Sequence, residues 1–181
     1  MITTKVFIAC SLDGYISDKD DKIDWLHEID NPTQDDMGYS AFMKDIDALL
    51  MGRKTFEKVL SFGITWPYNV PVYVLSSTLN EIPESLDNNV RLVSGNITDI
   101  LTQISADGHE ALYIDGGSTI ASFLELDLID EMTITTIPLI LGGGSPLFFE
   151  QDMRLHFNCV ESKTYLDAIV QSKFVRVRDV H

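Results

Sequence analysis

Short apolar runs rich in β-branched residues alternate with segments of helical period, and this alternation restricts the chain to a small set of folds. The runs are residues 6–10, 48–51, 70–75, 90–93, 111–114, 132–137, 157–165 and 168–177. The internal runs are short and nearly all apolar, the pattern of strands covered on both faces. The last two are longer, carry more polar alternation and are separated by Leu166 and Asp167, which predicts an antiparallel hairpin. Helical spacing is expected over 35–44, 55–60, 96–104 and 118–126. In the third of these, Ile97, Ile100, Leu101 and Ile104 share one face; in the fourth, Ser118 is placed to cap. Strands alternating with helices predict an α/β fold with a mostly parallel sheet and helices on both faces.

The length of 181 residues fits one domain over 1–181. Asp plus Glu number 28 against 13 Lys plus Arg, a formal charge of −15. So negative a chain repels phosphate backbones and anionic bilayers, which argues against nucleic acid or a membrane as partner. An anionic ligand must instead be caught locally, by backbone N–H groups and a few placed cations. Cys10 and Cys159 are too few and too far apart for a disulfide or zinc framework, and both read as buried thiols. The first residues lack a signal-peptide pattern, and no apolar stretch approaches the ~20 residues of a membrane span. A cytoplasmic protein is expected.

Four motifs sit where strands give way to turns. After the run at 48–51 comes Gly52-Arg53-Lys54-Thr55, the most cationic short stretch of the chain. It is either an anion site at a helix start or a plain turn with two solvated cations. Asp115-Gly116-Gly117-Ser118-Thr119 repeats the arrangement, with glycines that let a ligand approach the backbone or simply make a tight turn. Gly142-Gly143-Gly144 reads as a flexible connector or a closely packed loop. Ser11-Leu12-Asp13-Gly14 is a turn after the first strand. No metal is expected, since His27, His109, His156 and His181 are scattered without ligand spacing. Trp25 lies near the presumed ligand side and either lines a pocket or caps the core.

Taken in order, these motifs resemble the dihydrofolate-reductase-like superfamily. The nearer likeness is to the reductase domain of bifunctional riboflavin-biosynthesis deaminase–reductases and its stand-alone relatives. Ser-Leu-Asp-Gly, Met-Gly-Arg-x-Thr, Val-Leu-Ser-Ser, Asp-Gly-Gly and Pro-x-x-Leu-Gly-Gly-Gly-x-Pro-Leu-Phe fall in the family order over nearly the whole chain. The resemblance implies a three-layer α/β/α sandwich with a mixed sheet of about eight strands, a homodimer, and NADPH as cofactor. It places Gly52, Arg53, Lys54 and Thr55 on the cofactor phosphates and Ser76 and Ser77 on the 2′-phosphate. It places Gly116, Gly117, Ser118 and Thr119 on the pyrophosphate, and Ala9 and Ile16 beside the nicotinamide. Trp25 and Phe42 are the expected substrate contacts, and Asp13 and Asp115 the expected catalytic acids. Asp13 has a second reading as a loop-fixing residue, and Asp115 as a helix cap.

The implied activity is reduction of a small heterocycle resembling a ribosylamino-pyrimidine. Dihydrofolate reductases carry an acid one helical turn before a Phe that packs on the pterin. With Phe42 at that Phe, Gly38 stands at the acidic position, while Asp35 and Asp36 lie close but point elsewhere. Dihydrofolate reduction therefore remains the alternative enzymatic reading, and a non-catalytic nucleotide- or flavin-binding module the alternative of another class.

Overall fold

The computed structural model describes residues 2–86 and 89–178. The chain begins with β1 (Thr3–Ser11), β2 (Tyr15–Ser17), α1 (Tyr39–Lys44), β3 (Ala48–Gly52), α2 (Arg53–Ser61), β4 (Val72–Leu75) and β5 (Val90–Val93). It continues with α3 (Ile97–Ala106), β6 (Ala111–Asp115), α4 (Gly117–Glu125), β7 (Glu131–Ile137), β8 (Ser145–Pro146), β9 (His156–Tyr165) and β10 (Ile169–Val177). Eight strands form one sheet in the order β5-β4-β3-β6-β1-β7-β10-β9. The pairings from β5 through β7 are parallel; β7–β10 and β10–β9 are antiparallel. The mixed, mostly parallel sheet and the C-terminal hairpin are those expected.

Side-chain alternation divides the core in two. On one face Val6, Leu50, Tyr73, Leu112 and Ile114 pack under α3 and α4, against Ile100, Ile104, Ile120 and Phe123. On the other, Leu49, Met51, Val72, Val74 and Tyr113 meet α1 and α2 through Tyr39, Phe42, Phe56 and Val59. Strands buried on both sides need no polar alternation, which is why they read as unbroken apolar runs.

Several expectations are corrected. The first helix starts at Tyr39, not residue 35: Met37 (φ 52°) and Gly38 (φ 84°) are left-handed and cannot continue a helix. Ser118 lies inside α4, whose N-cap is Gly116 without a side-chain cap. Cys159 is exposed on the edge strand β9 rather than buried. The triple glycine is a packed loop, not a flexible connector: a Cβ at Gly144 would stand 1.9 Å from the Ser17 carbonyl oxygen. The short β2–β8 pair, absent from the sequence pattern, seats this loop on the segment after β1. His181 lies outside the described residues.

Candidate functional site

The carboxyl ends of β3 and β6 each turn through glycine into a helix. Gly52 and Gly116 are the N-caps of α2 and α4, and neither helix has a side-chain cap. Their first N–H groups are left for an anion. The two turns interlock. A Cβ at Gly116 would lie 2.3 Å from Thr55 Oγ1, and one at Gly52 would lie 2.9 Å from Thr119 Oγ1. Each threonine thus packs on the other turn's glycine, and Gly116 (φ 94°) is also in a conformation that disfavours a side chain. Ile16 lies over the start of α4, its Cδ1 2.5 Å from where a Gly117 Cβ would stand.

Beside α2, at the ends of β4 and β5, is a hollow of about 450 Å³ lined by Arg53, Ser76, Ser77, Thr78, Ser94 and Gly95. Ser76 Oγ accepts the N–H groups of Thr78 (3.1 Å) and Leu79 (2.9 Å), and Thr78 Oγ1 lies 3.5 Å from it. Arg53 is held 3.0 Å from Glu57 one turn along the helix. Arg53, Ser76 and Ser77, expected together, are brought together. Lys54 is exposed and outside the lining. Thr78, Ser94 and Gly95 were not anticipated; the signal was the Ser-Gly pair directly after the run at 90–93.

The α1 face of the sheet carries the acid. Strand register sets Ala9 of β1 beside Thr135 of β7, with Asp115 and Tyr113 of β6 on the same face. Asp115 Oδ1 accepts the Gly116 N–H at 2.8 Å, and desolvation pushes its carboxyl up to about 6. Tyr39, Tyr68 and Tyr113 lie near enough that its charge raises their phenols further.

Asp13 is different. It accepts from Ser11 Oγ at 2.6 Å, from Leu141 N at 3.1 Å and from Gly142 N at 2.8 Å. The Ser11 hydroxyl, foremost, and these amides hold its carboxyl below the ordinary aspartate value. The geometry is that of a clasp joining the β1–β2 turn to the glycine loop.

Further along the α1 face is a groove of about 270 Å³ whose lining includes Phe7, Gly38, Phe42, Thr133, Tyr165 and Gln171. Phe42 packs 5.0 Å from Phe7 and 5.1 Å from Tyr113, ring centre to ring centre. Trp25 is not in this groove. It is 4% exposed, in a separate apolar cluster with Ile137 and Ile169. Asp35 and Asp36 do not reach the groove either. Their carboxylates accept the N–H groups of Met37, Gly38 and Ser40, spending both on the entry to α1.

Residues 3–171 match the family described as the RibD C-terminal domain. The chain belongs to that family. A RibD C-terminal domain sheet, two uncapped strand-to-helix turns and a hydroxyl-lined hollow therefore occur together here. A crystal structure from Shewanella sp. PV-4, provisionally described as a riboflavin biosynthesis protein, is 50% identical with a TM-score of 0.95, covering 98% of this chain and 100% of that one. The uncharacterized protein YwjB of Bacillus subtilis is 33% identical over 96% of this chain and 97% of its own length. The diaminohydroxyphosphoribosylaminopyrimidine deaminase/5-amino-6-(5-phosphoribosylamino)uracil reductase of Thermotoga maritima is 16% identical with a TM-score of 0.73. The match covers 97% of this chain but 57% of the Thermotoga chain, and at that identity it speaks to the fold alone. Among the described residues, no helix is long and apolar enough to cross a membrane, and no three His, Cys, Asp or Glu side chains gather as a metal site.

Proposed function

We propose that the protein is an NADPH-dependent reductase of a small heterocycle of the ribosylamino-pyrimidine kind. The observation that carries the reading is the hollow of Arg53, Ser76, Ser77, Thr78 and Ser94, set beside two uncapped helix starts at the carboxyl ends of parallel strands. A doubly charged 2′-phosphate fits a guanidinium ringed by hydroxyl donors. The pyrophosphate fits the start of α4, whose first N–H groups no side chain caps. Bound NADPH supplies the hydride, delivered to carbon of a C=N or C=O bond.

The chain's own part is positioning and proton supply. Ala9, small, leaves room above β1 for a flat ring, and Ile16 closes the α4 end against water. Asp115 is the proton source for the nitrogen or oxygen left negative by hydride addition. At its raised value about one carboxyl in ten is protonated at pH 7, enough to serve as a general acid. Asp13, engaged as an acceptor, holds the loops rather than reacting. The free edge of β9 offers a strand at which a second copy pairs to give a homodimer, a state that sedimentation velocity reads directly.

Calorimetric titration with NADPH and, separately, NADH tests the reading. Micromolar NADPH binding with a clear preference over NADH is expected. Equal affinity for both retires the phosphate hollow. Binding of neither retires the reductase reading and leaves a non-catalytic or flavin-binding module, which a yellow purified protein would reveal.

A further inference from the structure

The sheet opens between β1 and β6. These strands pair from Thr3 with Ala111 to Lys5 with Tyr113, and then part. β1 runs on beside β7 as far as Ser11 with Ile137, and β6 runs on beside β3 as far as Asp115 with Met51. Backbone groups that face the opening have lost their ladder partners and must find others. Thr3 N donates to the Glu110 carbonyl, so the odd-numbered residues of β1 turn their backbone toward β6. Phe7, the next odd position after Lys5, meets the opening. Its carbonyl accepts the Tyr113 hydroxyl at 2.9 Å.

Tyr113 is buried on the α1 face, two residues before Asp115, so their side chains stand on one face of β6. The hydroxyl is also within hydrogen-bonding reach of the Asp115 carboxyl. It has one proton for two acceptors. The Phe7 carbonyl can only accept, whereas Asp115 accepts when ionised and donates when protonated. A protonated Asp115 therefore leaves the phenol proton on Phe7 and lays its own against the Tyr113 oxygen. An ionised Asp115 competes for the phenol proton as a charged acceptor, and a charged acceptor holds it more strongly. Two other phenols feel this carboxylate, Tyr39 from α1 and Tyr68 from the segment before β4. Burial, foremost, raises both above the ordinary tyrosine value, so both stay neutral while Asp115 titrates. Met51 beside it on β3 is apolar, and among the described residues no cation offsets its charge.

We infer that Tyr113 is a positioning residue for Asp115, its hydroxyl resting on the Phe7 carbonyl while the carboxyl is protonated and turning to the carboxylate once that proton has passed to substrate. The Asp115 O–H bond breaks, and its proton joins the nitrogen or oxygen that took up the electron pair displaced by hydride. The tyrosine keeps its own proton and changes only the acceptor. The charge left on a buried carboxylate is thereby met by a donor already in place. The catalytic use of this turn rests on the reductase reading; the turn itself does not.

Two isotope labels read it in the intact protein. Carboxyl-labelled aspartate reports Asp115, identified by the carbon-13 resonance missing from Asp115→Asn. Carbonyl-labelled phenylalanine with nitrogen-labelled isoleucine reports Phe7, because Phe7-Ile8 is the one Phe-Ile pair in the sequence. In wild type both carbons are expected to titrate together, at about 6, the Phe7 carbonyl losing its hydrogen bond as pH rises. In Asp115→Asn the Phe7 carbon should be flat across the same range. In Tyr113→Phe it should also be flat, and the Asp115 midpoint should rise by about one pH unit, because the carboxylate has lost a donor. A phenol that merely packs would leave the Phe7 carbon insensitive to pH in wild type. That insensitivity, or an Asp115 midpoint unmoved or lowered in Tyr113→Phe, overturns the inference. Failure of NADPH to bind in a calorimetric titration overturns the reductase reading instead, and the two labels still decide whether Tyr113 serves Asp115.

Discussion

Asp13 and Gly142 meet at 2.8 Å although 129 positions separate them in the chain. With the Leu141 contact, this clasp closes the glycine loop onto the turn after β1. The Asp13 carboxyl titrates below its ordinary value, so its stabilisation is fully present above the unfolded pKa. It is lost as pH falls through the lower, folded pKa. Asp13→Asn should therefore reduce the hydrogen-exchange protection of the Leu141 and Gly142 amides at pH 7. Toward pH 3, wild type should approach the variant. Protection unchanged by the substitution at pH 7 would mean the loop is held by the β2–β8 pair alone.

Asp115 has the opposite sign. Its folded pKa, raised to about 6, lies above the unfolded value, so the protonated form favours folding. Its ionisation costs stability as pH rises from about 4 through 6. The ceiling is about 3 kcal/mol for a two-unit shift. Asp115→Asn, which keeps an acceptor for the Gly116 N–H, should melt higher than wild type at pH 8 and about equally at pH 4.5. The same variant should lose NADPH turnover. A melting difference that does not change with pH would remove the desolvated carboxylate from the account.

Three glycines separate steric from conformational cost. Gly14 (φ 85°) has nothing within 4 Å of a Cβ, so Gly14→Ala reports backbone strain alone, on the order of 1 kcal/mol. Gly116→Ala adds the collision with Thr55 Oγ1 and should cost about 1–3 kcal/mol more. Gly144→Ala meets backbone that cannot give way and should be the most destabilising. Chemical denaturation of the three variants gives the order. Thr55→Ala in the Gly116→Ala background should return part of the loss, a non-additivity expected only if the two turns touch.

Arg53→Ala should weaken NADPH by about 1.5–3 kcal/mol while leaving NADH within error, because the guanidinium is assigned to the 2′-phosphate. Competition titration reads both. A parallel loss for both nucleotides would move Arg53 to the pyrophosphate.

Most of the sheet was legible because a strand buried on both faces announces itself as an apolar run, and residues 90–93 carried even their exact bounds. The helix starts were legible at Gly52 and Gly116, where glycine and local order coincide. What escaped depended on pairing between distant segments. β2 and β8 are too short to show a period. Ser94 enters the hollow beside Arg53 only because β5 lies beside β4. Tyr165 and Gln171 reach the groove only because β10 returns antiparallel to β7, setting Gln171 opposite Thr135. Trp25 looked like a ligand contact from its neighbourhood, yet it stands behind the groove and fixes its walls.

The turns after β3 and β6 are locked together through Thr55 on Gly116 and Thr119 on Gly52. The opposite rim of the groove comes from the terminal hairpin. A cassette spanning β9, the Leu166–Asp167 turn and β10, grafted from a relative, should therefore reshape the groove while leaving the interlocked turns at Gly52 and Gly116 untouched. The groove's rim is an exchangeable part, mounted on a pair of turns that tolerates little alteration.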